Sequence, residues 1–325
     1  MMYSKIISVI LCSVLGISAS AKTPVKSVPC DSIPFEIGAD HKIYVNATIN
    51  SDTVPLRFLF DTGAVDNVLN INSSRAIKNI NQAELIDGVN ISTTSTTAAK
   101  FTPFNNSITL GETGFSGVRF VLSPAIENID GIIGWNTLTG ADFMIDYDKQ
   151  QIFLFPKGSC ELNDEAADWI TLDYIDGLPS INISYIFEGQ SYETNVWVDS
   201  GSNRCLDLIT PYIEANNLQG KQNPWGISSI VGMEGTKGKI EEVIAETIKI
   251  GNYILYQIPI GLNLTNSGAS ANKNFGGVLG NNLLERFNQI WSFENKRLYL
   301  TPNRRMYSTN YPTQNELLQN KVTLK

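Results

Sequence analysis

Two aspartates stand in the same local setting at two distant places in the chain. Each ends an apolar run and precedes a hydroxyl residue and a glycine, in Phe58-Leu-Phe-Asp61-Thr-Gly63 and in Val196-Trp-Val-Asp199-Ser-Gly201. Two carboxyl groups that share one proton can take a proton from water and give one to a carbonyl oxygen, as amide hydrolysis requires. Because two nearby carboxyls do not both ionise easily, one pKa rises and the other falls. The pair therefore predicts general acid–base chemistry on one water molecule.

The residues that follow each aspartate have physical roles in this hypothesis. Gly63 and Gly201 permit a sharp turn and expose backbone N–H groups to the carboxylate. Thr62 and Ser200 can hydrogen-bond across the pair and hold the two turns face to face. We therefore expect the two aspartates to be catalytic and these four residues to support them.

A second pattern recurs in phase with the first. Gly131-Ile-Ile-Gly134 follows Asp61 by 70 positions, and Gly277-Val-Leu-Gly280 follows Asp199 by 78. Glycine serves where a neighbouring backbone approaches too closely for a side chain, so each segment is expected to pack beneath one Asp turn. One Asp-Thr/Ser-Gly is a common turn after a strand, but two copies with a second motif in phase indicate a functional pair.

The apolar pattern predicts an internal duplication. Residues 33–63 align with 171–201 after a shift of 138 positions, and residues 131–156 align with 277–302 after a shift of 146, both without a gap. The alternation of apolar and polar residues in these segments has the period of a half-buried strand. The sequence therefore predicts an all-β fold with two similar lobes.

Turns and short helices are expected at equivalent places in the two lobes. Residues 147–150 and 293–296 are polar stretches between apolar strands and predict hairpin turns. Asn136 and Asn282 follow the glycine motifs and are expected to act as N-caps of a short helix.

Two segments rich in small and polar residues, 91–99 and 231–238, precede similar strands in the two lobes. Such composition suits the tips of exposed, mobile hairpins. A pair of covers over a cleft and a pair of ordinary surface loops are both open as interpretations.

The chain divides into four predicted parts. Residues 1–21 are expected to be a signal peptide, residues 32–156 the first lobe, residues 169–302 the second lobe, and residues 303–325 a polar tail. A polar linker, 157–168, joins the lobes.

An export signal is predicted from the first residues. Lys5 gives a positive start, residues 6–17 form an apolar stretch, and Ala19-Ser-Ala21 is a small-residue cleavage site. The apolar stretch is short for a membrane span, so no stable span is expected. The expected location is outside the cytoplasm, in the periplasm, at the cell surface or in the medium.

Composition and charge exclude some functions. The 325 residues are 42% hydrophobic and carry a formal charge of −8, without a basic stretch of the kind that nucleic-acid binding requires. His41 is the only histidine, which disfavours a Ser–His–Asp hydrolase and, because the cysteines show no ligand spacing, a zinc site. We expect His41 on the surface, no metal, and no nucleic-acid partner.

Three cysteines remain after the predicted cleavage. A disulfide between Cys30 and Cys160 would link the two ends of the first lobe, since an exported protein can hold disulfides. Three buried thiols without a bridge are the alternative, and the sequence does not separate the two. For Cys205, six residues beyond Asp199, a buried structural thiol is the expectation.

The motifs resemble those of the pepsin-like and retropepsin-like aspartic proteases. The resemblance rests on Phe58-Leu-Phe-Asp61-Thr-Gly-Ala64, Val196-Trp-Val-Asp199-Ser-Gly-Ser202 and the two glycine segments. It extends over residues 33–302 and implies a bilobed all-β fold built from a duplication, with a substrate cleft between the lobes. It also implies an aspartic-type endopeptidase, active as a monomer on a peptide or protein, with Asp61 and Asp199 as the dyad and no cofactor.

The chain departs from the pepsin pattern in its details. The pepsin flap carries a tyrosine, but no tyrosine lies between Asp61 and Asp146. Ala64 follows the first triplet, as in retropepsins, whereas Ser202 follows the second. The chain is therefore most similar to bacterial retropepsin-like proteins with both halves fused.

Ser202 gives a prediction about the location of the charge. Its hydroxyl can donate to the outer oxygen of Asp199, and Ala64 cannot do so for Asp61. A donor to the charged form lowers a carboxyl pKa. Asp199 is therefore expected to hold the negative charge, with Ser202 in a supporting role, and Asp61 the proton.

Two other functions compete with the peptidase. A catalytically silent peptide-binding protein would have the same cleft, because catalytic rate depends on placement finer than any motif reports. A β-rich surface or carbohydrate-binding protein would leave the phased pair of triplets unexplained.

Overall fold

The computed structural model describes residues 25–124, 128–162, 167–232 and 236–308. The predicted signal peptide and residues 309–325 of the predicted tail lie outside the described residues. In the described part, the chain is built mainly of strands, with a few short helices. None of these helices is both long and apolar enough to cross a bilayer.

The strands of the first half are β1 (Asp31–Ile37), β2 (Ile43–Ile49), β3 (Leu56–Phe60), β4 (Asn67–Asn70), β5 (Ile86–Ile91), β6 (Thr96–Phe101), β7 (Asn106–Leu110), β8 (Thr113–Val118), β9 (Phe120–Ser123), β10 (Gly131–Ile133), β11 (Asp142–Asp146) and β12 (Gln151–Phe155). Two short helices accompany them, α1 (Ser74–Ile77) and α2 (Trp135–Leu138).

The strands of the second half are β13 (Ile170–Thr171), β14 (Asp173–Ile175), β15 (Leu178–Phe187), β16 (Gln190–Asp199), β17 (Leu206–Leu208), β18 (Gly226–Val231), β19 (Lys237–Ile250), β20 (Tyr253–Asn263), β21 (Gly277–Gly280), β22 (Phe287–Ser292) and β23 (Arg297–Pro302). Helices α3 (Thr210–Ala215) and α4 (Asn281–Leu284) and a 3₁₀ turn, Gly268–Ala271, lie between them.

The two halves place equivalent strands in the same spatial order. That order is β1-β2-β3-β10-β4-β9-β6-β5 in the first half and β14-β15-β16-β21-β17-β20-β19-β18 in the second. In each half, the glycine-motif strand runs parallel to the strand that carries the aspartate, as β10 does to β3 and β21 to β16. The fold is therefore all-β with two similar lobes, as predicted, and the shared order is compatible with a duplication.

A further sheet joins the lobes, in the order β13-β23-β22-β11-β12-β1. At its centre β11 pairs with β22, and Met144 lies opposite Ile290. The ring of Phe143, on the neighbouring position of β11, packs 5.3 Å from Phe60 and 5.7 Å from Trp291. Because Phe60 directly precedes Asp61, this shared aromatic core fixes the base of the first Asp turn to both halves of the protein.

The predicted hairpin turns are confirmed, and the predicted helix caps are wrong. Residues 147–150 connect β11 to β12, and residues 293–296 connect β22 to β23. Helices α2 and α4 instead begin after Gly134 and Gly280, without a side-chain cap. Each helix starts directly at the glycine motif, so the asparagine lies inside the first turn.

The gapless alignment of the two Asp hairpins is also wrong in detail. Tyr44 lies opposite Leu59, whereas Asn182, its counterpart in the shifted sequence, lies opposite Asn195 rather than Trp197. The cause is the turn: β15 and β16 close through Glu188-Gly189 alone, both with positive φ, and β2 and β3 use a longer loop. A slip of two residues keeps the same face buried, so the apolar pattern does not reveal it.

The described cysteines form no disulfide. Cys30 is exposed, and Cys160 and Cys205 are buried. The Cys30 thiol donates to the Leu154 carbonyl oxygen, and the Cys160 backbone N–H donates to the buried Asp142 carboxylate. The bridge between Cys30 and Cys160 is therefore not formed, and the alternative of three buried thiols is wrong for Cys30.

The glycine motif gives a test of the packing beneath the first Asp turn. A methyl group on Gly131 would overlap the Val68 carbonyl oxygen and the Phe58 ring. Gly131→Ala is expected to lower the free energy of unfolding by about 1–3 kcal/mol, as overpacking does in a close-packed core. Gly114→Ala is the matched control, because a methyl group there meets nothing within 4 Å. Equal urea-unfolding midpoints for the two variants would contradict this packing.

Candidate active site

Hydrogen bonds between the two Asp turns tie the lobes together. The Thr62 backbone N–H donates to Ser200 Oγ at 3.1 Å, and the Ser200 N–H donates to Thr62 Oγ1 at 3.0 Å. The hydroxyls then donate across the lobes, Thr62 to the Val198 carbonyl oxygen and Ser200 to that of Phe60, both at 2.7 Å. Both side chains are buried. The predicted hydrogen bonding across the pair is present, and it is reciprocal.

The glycines of the two turns bring each carboxyl group against the opposite turn. Gly63 N–H donates to Asp61 Oδ1, and Gly201 N–H donates to Asp199 Oδ1, each at 2.8 Å. A methyl group on Gly63 would overlap the Asp199 carboxyl group, and one on Gly201 would overlap that of Asp61. The absence of a side chain at both glycines is therefore what allows the carboxyl groups to approach.

The two carboxyl groups lie within hydrogen-bonding reach of each other. Burial raises the pKa of both. The negative charge of Asp61 and its hydrogen bond raise the pKa of Asp199 further, well above the usual range of an aspartate, while the Gly63 and Gly201 N–H groups each favour the ionised form of the aspartate in their own turn. The arrangement therefore favours one proton shared by the two carboxyl groups.

The hydrogen bond that was expected from Ser202 to Asp199 is not formed. In the described part of the chain, the Ser202 hydroxyl accepts from the Arg204 N–H at 3.3 Å and has no hydrogen bond to the Asp199 carboxyl group. It faces Gly280, where a methyl group would lie 2.8 Å from its oxygen.

The hairpin tips connect the lobes at a second place, which the sequence did not locate. Residues 92–95, at the tip of the β5–β6 hairpin, bind residues 267–270 of the second lobe, and we call this contact the latch. The Thr93 carbonyl oxygen accepts from Ser270 N–H at 3.0 Å and from its hydroxyl at 2.7 Å. Thr94 also donates to the Thr236 carbonyl oxygen at 3.2 Å, next to the second hairpin tip. The first tip is thus a bridge between lobes rather than an ordinary surface loop.

Two further features, a possible metal site and His41, were also considered as candidates from the sequence. No group of three or more His, Cys, Asp and Glu side chains that could hold a metal occurs among the described residues. His41 lies at the surface with its side chain 42% exposed, and its Nδ1 lies 3.0 Å from Glu285 Oε1. This ion pair raises the pKa of His41.

Known proteins share this fold and part of this sequence. An aspartic proteinase from Irpex lacteus has a similar crystal structure, with a TM-score of 0.52 and 13% sequence identity, over 86% of this chain and 99% of that chain. Residues 45–137, from within β2 to within α2, match the family model described as aspartyl protease. The chain therefore has the fold of an aspartic proteinase, and its segment 45–137 is similar to the aspartyl protease family. No curated protein matches it.

The match of residues 45–137 to the aspartyl protease model supports a peptidase function. The matched segment contains Asp61 and the first glycine motif, and the structural similarity spans both lobes. At 13% identity the similarity to the Irpex lacteus enzyme concerns the fold. The roles of individual residues follow from the geometry of this chain.

The raised pKa of Asp199 predicts how stability depends on pH. An unfolded aspartate titrates near pH 3.9. Because the folded pKa is higher, the folded protein retains a proton that the unfolded chain loses, and stability falls as the pH rises through this window. Asp199→Asn cannot ionise, so its melting temperature should exceed that of the unmodified protein at pH 7, by an amount that shrinks towards pH 4. Thermal unfolding of both proteins across this range measures the difference, and parallel curves would contradict the shifted pKa.

The latch is tested at Gly268, which has a φ of +59° and packs against the tip. A methyl group there would overlap the Ser92 carbonyl oxygen and the Ser95 nitrogen. Gly268→Ala should therefore open the latch and speed hydrogen exchange at the amides of Ala269 and Ser270, which donate to the tip. Gly220→Ala controls for backbone strain, since its φ is +78° and its methyl group would meet nothing within 4 Å. Unchanged exchange in Gly268→Ala would show that the latch does not hold the tip.

Proposed function

We propose that this protein is an aspartic-type endopeptidase that hydrolyses peptide bonds with a water molecule activated by Asp61 and Asp199. The observation that carries the proposal is the reciprocal hydrogen bonding of Thr62 and Ser200. These bonds hold the two carboxyl groups close together although the groups repel each other when ionised. Structural needs do not explain such a costly pair, because buried, coupled carboxyls lower stability at neutral pH.

The two carboxyls divide the work by their protonation states. Ionised Asp61 is the general base, and it takes a proton from the water whose oxygen attacks the peptide carbonyl carbon. Protonated Asp199 is the general acid, and it gives its proton to the carbonyl oxygen as the tetrahedral diol forms. The dyad then carries one proton, as before, but on the opposite carboxyl.

The second step reverses these roles. Asp61, now protonated, donates to the amide nitrogen, and Asp199 takes a proton from one hydroxyl of the diol as the C–N bond breaks. The products are a carboxylic acid and an amine, and the dyad returns to its starting state. One chain supplies both carboxyls, so the proposal needs no second copy, and neither step needs a cofactor.

The surroundings of the dyad support an endopeptidase. A latched hairpin that joins the lobes fits a cover over a bound chain, and such a cover excludes water from the reacting groups. Export through residues 1–21 is part of the proposal, with the protein acting in the periplasm, at the cell surface or in the medium.

Cleavage of a mixed peptide pool tests the proposal. The protein without residues 1–21 should cut peptides internally, and Asp61→Asn should lower the rate at least a thousandfold, because the general base is lost. Since Asp199 must keep its proton, the rate should fall as the pH rises through its raised pKa. Mass spectrometry of the products from acid to neutral pH measures both effects, together with inhibition by a statine-type compound.

A matched control is Asp173→Asn, which changes an exposed aspartate on β14. It should cleave like the unmodified protein. Peptide binding without turnover would instead support the silent peptide-binding protein. Cleavage that persists in Asp61→Asn would overturn the assignment of the dyad.

A further inference from the structure

Lys42 directly precedes β2, and Asp61 directly follows β3, at the open end of the β2–β3 hairpin. In this antiparallel pair, Val45 faces Phe58 and Tyr44 faces Leu59. The same register, continued by two residues, brings Lys42 opposite Asp61. Residues directly opposite in an antiparallel pair have their side chains on the same face, with Cβ atoms about 5 Å apart. The stem of Lys42 therefore starts beside the first carboxyl group.

The second lobe fixes the backbone just before Lys42. His41 has a φ of +60°, in the left-handed region, and its carbonyl oxygen accepts from Asn281 Nδ2 at 2.6 Å. Its ring is paired with Glu285, which is buried. Asn281 directly follows the second glycine motif. Lys42 is thus held at the junction of the lobes by residues that also border the second Asp turn.

The ammonium group of Lys42 has no ion pair or hydrogen bond to its Nζ within the described part of the chain. The side chain is half-buried, and its charge lowers the pKa of both Asp61 and Asp199, so it acts on the whole dyad. The Lys42 ammonium group can therefore pair with an anion that enters the site, although the protein as a whole has a formal charge of −8.

The equivalent place in the second lobe has no charge. In the β15–β16 pair, Ser180 faces Trp197, and the same register brings Leu178 opposite Asp199. Leu178 is buried and apolar. One side of the dyad is therefore bordered by a cation and the other by a hydrocarbon side chain, so a bound peptide would meet different chemistry on the two sides of the cut.

We propose that Lys42 is a specificity-determining residue, which makes this site select peptides with a carboxylate side chain on the side of the scissile bond that borders β2. The inference rests on the proposed peptidase function. The ammonium group would form a charge-assisted hydrogen bond with a substrate Glu or Asp, and this bond is lost when an amide replaces the carboxylate. A cation that only tuned the dyad would instead change the rate equally for all peptides.

Paired peptides test the proposal. The probes are decapeptides with a central Leu-Phe bond and a single Glu or Gln at each of the other eight positions in turn, assayed near pH 6, where Glu is ionised. For the unmodified protein, kcat/KM should be about threefold to tenfold higher for Glu than for Gln at one or two neighbouring positions. Lys42→Met should bring this ratio to about one, and Lys42→Arg should keep it. Lys249 is an exposed lysine on β19, and Lys249→Met is the control for the loss of one positive charge far from the proposed contact.

A binding measurement keeps this test separate from that of catalysis. The affinities of the Glu and Gln peptides for Asp61→Asn, and for the same variant with Lys42→Met, are measured by calorimetry. If no peptide is cleaved, the peptidase proposal fails and the ratio of affinities decides the role of Lys42. A Glu preference that Lys42→Met abolishes supports the proposal. An unchanged preference, no preference at any position, or no binding at all overturns it.

Discussion

The approach of two like-charged groups is the constraint on which the rest of this structure depends. Two carboxyls that lie within hydrogen-bonding reach repel each other when both are ionised, and burial penalises each charge. Four hydrogen bonds of Thr62 and Ser200 oppose this repulsion, and all four cross from one lobe to the other. The shared sheet and the aromatic packing of Phe60 on Phe143 give these turns a rigid base.

Much of the frame can be predicted from the sequence because its determinants are local. The apolar run before Asp61 is a strand, the glycine after it is a turn, and the polar stretches at 147–150 and 293–296 are hairpin turns. The local pattern does not predict the structure where two strand registers bury the same residues. A two-residue slip of the β15–β16 hairpin keeps the same residues buried, so only the lengths of the turns distinguish the registers.

The error at Ser202 has a different cause, which is the direction in which its hydroxyl points. The Ser202 hydroxyl is a stronger donor in the sequence than anything at Ala64, but it faces Gly280 and accepts from Arg204. The latch and the position of Lys42 could not be predicted from the sequence, because the residues that fix them are far apart along the chain. Ser270 meets Thr93 across 177 positions, and Asn281 meets His41 across 240. Contacts of this length carry no periodic signal.

The near-symmetry of the lobes and the asymmetry of the site follow from different parts of the chain. Equivalent strands in equivalent order bring two identical groups to one place, and a symmetric pair would share a proton equally. Hydrolysis needs a base on one side and an acid on the other. The residues that flank the motif differ between the lobes, since Ala64 and Lys42 border Asp61, while Ser202 and Leu178 occupy the matching places at Asp199. In the proposed mechanism, the repeated frame thus brings the two carboxyl groups together, and residues outside the repeated triplets make their surroundings unequal.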